Sequence, residues 1–156
     1  MSEIKWDDSF SLHIEAIDQQ HKKWLDIYNA MNKLTTVGEQ DPNMQSQMDI
    51  LQAMLDYSRF HFDYEEKYLH QHGYAELVQH SKLHKEFEYL IYQSYVALKE
   101  GEGVLNLKLL GIIKGWLLNH ILIEDKKYAH AILSPYDAKK ICPKKTLDSG
   151  GNHLCT

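Results

Sequence analysis

Apolar residues recur along this chain every three to four positions, the period of one face of an α-helix. The first such stripe holds Ile17, Trp24, Tyr28 and Met31, with His21 filling the gap in register. It predicts a helix that follows an N-terminal arm to about residue 17 and ends before Gly38. In the loop GEQDPN, Asp41 and Pro42 read as the N-cap and first position of a second helix. The face of that helix is Met44, Met48, Leu51, Leu55, Ser58, His61, Glu65 and Leu69, down to Gly73. A third stripe of Leu77, His80, His84, Phe87, Ile91, Tyr95 and Leu98 stops at Gly101 and Gly103. A fourth, through Leu105, Leu109, Ile112, Trp116, His120 and Ile123, ends at Ser134 and Pro135. Beyond it the chain is rich in Lys, Ser, Gly and Asn and shows no helical face. Strand-like alternation is absent. The pattern predicts an all-α fold, an antiparallel up-down-up-down four-helix bundle over residues 1–133, with a flexible C-terminal tail over 134–156.

Composition narrows this picture in three ways. A chain of 156 residues with 44% hydrophobic positions can bury one continuous core, so one domain is expected. A net charge of −5 offers no broad basic field for a phosphate backbone, which argues against nucleic acid as a partner. No run of 18 apolar residues is present, and the N-terminus lacks the basic and apolar regions of a secretory signal, so a soluble, cytoplasmic protein without a membrane partner is expected. Cys142 and Cys155 are the only cysteines and form no CxxC pair, so no disulfide framework is indicated. The tail that carries them is the candidate contact for a protein partner.

The ten histidines change the picture most. Burying an unpaired polar group costs a few kcal/mol, so bundle cores are normally aliphatic and aromatic. Here His21 stands in the first stripe, His61 and Glu65 in the second, His80 and His84 in the third, and His120 in the fourth. Side chains four apart project from one helical face, so each pair can converge on one cation. A second carboxylate is expected near the end of the fourth helix, where Glu124 and Asp125 both stand. One zinc needs four ligands, whereas this set suits two carboxylate-bridged divalent ions. Imidazole-rich, sulfur-free donors favour iron over magnesium or calcium, with copper and manganese compatible. A lone helical histidine is ordinarily a surface residue, and His13, His70, His72, His130 and His153 are assigned to that class. No phosphate-binding glycine loop and no nucleophile paired with a spare histidine are evident, which points to a binding protein rather than an enzyme.

At these residues the chain resembles the hemerythrin family of bacterial single-domain proteins, over about residues 6–130. The family pattern is a lone His, then HxxxE, HxxxH and HxxxxD; this sequence reads IDQQH ending at His21, HFDYE from His61 to Glu65, HSKLH from His80 to His84, and HILIED from His120 to Asp125. The resemblance implies two iron ions with an oxo or hydroxo bridge, one held by His80, His84 and His120, the other by His21 and His61, with Glu65 and Asp125 shared. It implies reversible dioxygen binding at the two-histidine iron, for oxygen storage, delivery or transport. An oxygen or redox sensor acting through a partner protein is the alternative. Phe62, Trp116, Leu117, Ile121 and Tyr128 lie within a turn of these residues and match family positions lining the dioxygen pocket, although ordinary core packing accounts for them equally well. Trp24 departs from the family's usual Leu or Ile and joins the same candidate pocket.

The resemblance selects Asp125, yet five residues along an ideal helix rotate a side chain about 140° off the starting face, which favours Glu124. A helix locally widened into a π-type turn would reconcile the two. A ferritin-like di-iron site would require paired ExxH motifs, which are absent, and a structural zinc site would be indifferent to oxygen.

Overall fold

The computed structural model describes residues 3–36 and 43–140. Within them a short 3-10 turn (Asp8–Phe10) precedes α1 (Glu15–Thr36), α2 (Met44–Gln71), α3 (Leu77–Lys99) and α4 (Leu107–Asn119). Then come five residues of π-helix (His120–Glu124) and α5 (Asp125–Lys140), so the fourth helix of the bundle is one rod interrupted by a wide turn. No strand occurs among the described residues, and the architecture is the expected four-helix bundle.

Local chemistry sets the helix ends. Asn43 caps α2 by accepting from the Ser46 N–H at 2.8 Å, and Asn106 caps α4 by accepting from the Leu109 N–H at 3.0 Å. Such caps are worth about 1 kcal/mol each. The cap anticipated at Asp41 and Pro42 falls outside the described residues. At the C-termini of α2 and α3, Gly73 and Gly101 adopt φ of 65° and 75°. The residue after each returns its N–H to the helix, Tyr74 to Leu69 O and Glu102 to Ala97 O. That closing turn needs a left-handed residue, where glycine carries no Cβ penalty.

The N-terminal arm is tied to the bundle. Ile4 exchanges two 2.8 Å hydrogen bonds with the Asn29 side chain, and Asp18 accepts from the Ser11 hydroxyl and the Leu12 N–H. The arm's own Phe10, Leu12 and Ile14 are buried.

Three details differ from the pattern reading. Met44 is half exposed, at the solvated first turn of α2. Leu105, just before the fourth helix, is buried, and along the helix the buried aliphatic positions through the π-turn are Leu110, Ile113, Leu117 and Ile121, whereas Ile112 and Ile123 are 48% and 51% exposed. The segment LKLLGIIKGWLL is apolar on several sides, so periodicity alone leaves its rotational phase open. Finally, α5 continues past Ser134 and Pro135 to Lys140. A proline inside a helix removes one backbone donor and crowds the carbonyl four residues back, yet here the helix runs through it.

The core is divided. A large cluster from Trp24, Tyr28, Met54, Phe87 and Ile113 to Ile121 fills the middle of the bundle, and a smaller one of Leu12, Ile14, Ile17, Leu69, Tyr128 and Ala129 fills the end beneath the arm. A layer of buried polar side chains lies between them. No helix of the described residues is long and apolar enough to cross a membrane.

Candidate metal centre

That polar layer consists of His21 from α1, His61 and Glu65 from α2, His80 and His84 from α3, His120 from the π-turn and Asp125 from the start of α5. All seven are buried, none more than 4% exposed. The i, i+4 spacing on α2 and α3 aims both members of each pair inward, as their sequence positions require.

Glu65 lies among both groups of histidines. Its Oε2 is 3.6 Å from His61 Nε2 and 3.1 Å from His84 Nε2, and its Oε1 is 3.6 Å from His80 Nε2. Asp125 does the same from the opposite side, with Oδ2 3.2 Å from His21 Nε2 and Oδ1 3.4 and 3.2 Å from His80 and His120. Two convergent donor sets follow: Glu65, His80, His84 and His120, and His21, His61 and Glu65, each with ligand atoms within 4.8 Å of one another. Asp125 belongs with both by its distances.

The π-turn makes this placement. The Asp125 N–H reaches back five residues to His120 O, and the extra residue in that turn carries Asp125 onto the inner face. Glu124, the favourite of ideal helical geometry, instead faces outward and pairs with Lys127 at 2.6 Å.

Whether this cage suits metal can be tested on its own polar atoms. Nε2 of His21, His61 and His80, and both oxygens of Glu65 and Asp125, are buried without a hydrogen-bond partner. The Nε2 atoms of His84 and His120 face one another at 3.1 Å. Leaving so many buried lone pairs unsatisfied costs one to three kcal/mol apiece, about what cation coordination would offset. Outside the cage, His61 Nδ1 meets Gln20 Oε1 at 2.9 Å and His84 Nδ1 meets Glu66 Oε1 at 2.8 Å. An acceptor at Nδ1 places the proton there and leaves the Nε2 lone pair directed inward, the tautomer a metal needs. The donors fit a pair of divalent cations.

The electrostatics agree. Burial pushes His21 down to about 4 and His120 to about 3, and holds His61 well below the usual histidine range, so these imidazoles are neutral. Burial also acts to lower His84, but the carboxylates of Glu65 and Glu66, as acceptors at its ring nitrogens, outweigh it and raise its pKa. Burial and the neighbouring Glu65 charge push Asp125 well up. Glu65 moves down despite burial, because the imidazoles of His120, His80, His84 and His61 close around it and favour its charged form. Two carboxylates in one dry cage cannot both stay ionised without added positive charge, and Glu65, with most of the imidazole contacts, keeps its charge.

Aromatic and aliphatic side chains enclose the cage. Phe62 stacks on His84 at 3.9 Å between centroids, Trp116 stacks on His120 at 4.4 Å, and Tyr128 sits edge-on to His80 at 5.6 Å. Trp24 lies 4.9 Å from His61, and Leu117 and Ile121 are fully buried in the adjoining cluster. Trp24, Phe62 and Tyr128 are buried, while Trp116 reaches partly to the surface. His13, His70, His72 and His130 are exposed, as expected, and His153 lies outside the described residues. Gln20 and Glu66 were not singled out by sequence; each directly neighbours a cage residue in the chain, which is the signal that could have found them.

Fold and geometry together define a helical bundle whose core carries a histidine and carboxylate cluster able to hold metal. The chain belongs to the hemerythrin HHE cation-binding domain family, whose sequence model matches residues 12–132. It is similar to a bacteriohemerythrin of Pseudomonas paraeruginosa, 28% identical with 85% of this chain and 83% of the relative covered. A bacteriohemerythrin of Clostridium acetobutylicum is 29% identical, covering 79% and 96%. A crystal structure of wild-type hemerythrin superposes with a TM-score of 0.76 at 27% identity, over 85% of this chain and 99% of the other.

Proposed function

We propose that this protein binds dioxygen reversibly at a non-haem di-iron centre, for storage, delivery or transport, and that it performs no turnover chemistry. The observation that carries the reading is the unequal division of the cage, with two histidines on one side, three on the other, and a carboxylate between them from each direction. His80, His84 and His120 would hold one iron and His21 and His61 the second, with Glu65 and Asp125 shared between them. An iron pair so held would supply a two-electron redox partner for dioxygen, and the side held by His21 and His61, one histidine poorer than the other, is where dioxygen would bind.

The chain's own residues provide the rest. Gln20 and Glu66 fix the tautomers of His61 and His84, so the inward nitrogens stay aprotic. Trp24, Phe62, Trp116, Leu117 and Ile121 line the dioxygen pocket, offer no acid or base, and exclude the water and protons that make oxidation irreversible. Tyr128 closes the opposite end; burial and the nearby carboxylates push its hydroxyl well up, so it stays protonated.

The test is iron analysis of the purified protein, followed by visible spectra as the anaerobic ferrous form is exposed to oxygen and then degassed. Two irons per chain and a charge-transfer band that rises with oxygen and fades on degassing are expected. A stoichiometric zinc content, or a centre that oxidises once without recovery, would overturn the reading.

A further inference from the structure

Trp24 is the largest of the fully buried side chains and the one ring, among the described residues, that contacts both His21 and His61 from outside the cage. Its centroid stands 6.5 Å from His21, 4.9 Å from His61 and 6.2 Å from His120. A buried indole N–H needs a hydrogen-bond partner, and the partner it finds fixes the orientation of the ring. Trp24 has one. Its indole N–H donates to Ser58 Oγ at 3.0 Å and lies 3.1 Å from Met54 Sδ. Ser58 is itself fully buried in the core stripe of α2 and donates to Met54 O at 2.7 Å. A hydroxyl there costs roughly 1–3 kcal/mol unless it is satisfied, and this one is satisfied by the indole and the helix backbone. Phe62, Phe87 and Trp116 meet the ring at 5.2, 5.5 and 5.8 Å, nearly edge-on, so neighbours on three sides oppose a change of rotamer.

The consequence concerns the two-histidine side of the cage, which Trp24 covers. Resting on the reading above, we propose that Trp24, locked by Ser58, sets an upper limit on ligand size, admitting ligands as short as dioxygen or azide and turning away longer anions such as thiocyanate. Trp24 is thus a specificity-determining wall. A flexible Leu at this position could move aside for a longer ligand, whereas a hydrogen-bonded indole wedged among three rings cannot.

The test uses the iron-loaded protein, oxidised and titrated with azide and with the longer thiocyanate, beside Trp24→Leu and Ser58→Ala. Wild type is expected to bind thiocyanate at least tenfold more weakly, relative to azide, than Trp24→Leu does, with Ser58→Ala between them. A role in packing alone would lower the melting temperature of both variants and leave that ratio unchanged. Should Trp24→Leu fail to fold, wild type against Ser58→Ala still decides, since tight thiocyanate binding by wild type overturns the proposal by itself. A second readout needs no metal: in the apoprotein the Trp24 indole N–H should exchange with solvent far more slowly than that of Trp6, and Ser58→Ala should abolish the protection. Exchange as fast as that of Trp6 would overturn the lock. Iron analysis of each sample separates the two levels, because a wild-type protein without two irons refutes the di-iron reading, whereas two irons with an unchanged ligand ratio refute only the role of Trp24.

Discussion

The two histidine groups of the cage are unequal in more than number. His21 and His61 lie on α1 and α2, the neutral side chain of Gln20 meets His61 from outside, and Trp24 covers both rings. His80, His84 and His120 come from α3 and the π-turn, and His84 leans on Glu66, a carboxylate one-third exposed. Burial dominates the first group and pushes its imidazoles down. In the second group the answer is mixed, with His120 down and His84 up. The same residue type in one layer of one bundle thus acquires two electrostatic characters, because His84 has carboxylates at both ring nitrogens, Glu65 inside and Glu66 outside, which together outweigh desolvation, whereas His61 has only the neutral Gln20 at its outer nitrogen.

The strongest way to break this comparison is to remove what joins the groups. Glu65→Ala takes the carboxylate from both donor sets, and metal content is expected to fall from two ions per chain to near zero by elemental analysis. His21→Leu removes one side only, so about one iron per chain should remain on the three-histidine side. Loss of both ions from His21→Leu would show that the groups do not bind independently.

Acid sharpens the contrast in the metal-free protein. The unfolded chain takes up protons near the ordinary histidine value of 6.5, whereas folded His21 and His120 resist until about 4 and 3. Stability from these two is therefore intact above 6.5 and lost as pH falls through that window, by on the order of several kcal/mol together. His84 runs the other way, its raised pKa contributing stability that is fully present below 6.5 and lost as pH rises through its folded value. Urea melts of the apoprotein at successive pH values should show a net loss below 6.5, and removing Glu66 should steepen it. Melts that are flat between pH 7 and 4 would contradict the assignment.

Smaller effects follow from the outer hydrogen bonds. Glu66→Gln and Gln20→Ala should each weaken metal binding, roughly 10- to 100-fold, the first on the three-histidine side and the second on the two-histidine side. Competition titrations with a chelator would resolve which ion leaves first in each variant. Smallest is a control away from both groups. Gly115 is exposed on α4, and an added Cβ would meet nothing within 4 Å, so Gly115→Ala should stabilise the fold by about 0.5–1 kcal/mol without altering metal content.

Most of the cage was legible in the chain because its residues sit at i, i+4 on helices whose apolar stripes they interrupt. His61 with Glu65 and His80 with His84 needed only helical geometry. Asp125 did not follow from geometry; the resemblance singled it out, and the π-turn at His120 supplies the reason. The rotational phase of the fourth helix was misread, since Ile112 and Ile123 are as apolar as the buried Ile113 and Ile121. Nothing local distinguishes them.

Periodicity, glycine stops and histidine spacing by themselves determined four helices, their order and nearly every residue facing the cage, because helical register is a property of consecutive residues. Tertiary structure alone decided how the groups differ. The pairing of Gln20 with His61 across 41 residues, of Glu66 with His84, and of Trp24 with Ser58 across 34 arises only when separate helices meet. Hydrogen bonds and desolvation act through space, so the character of each imidazole is set by neighbours that the chain order does not place beside it.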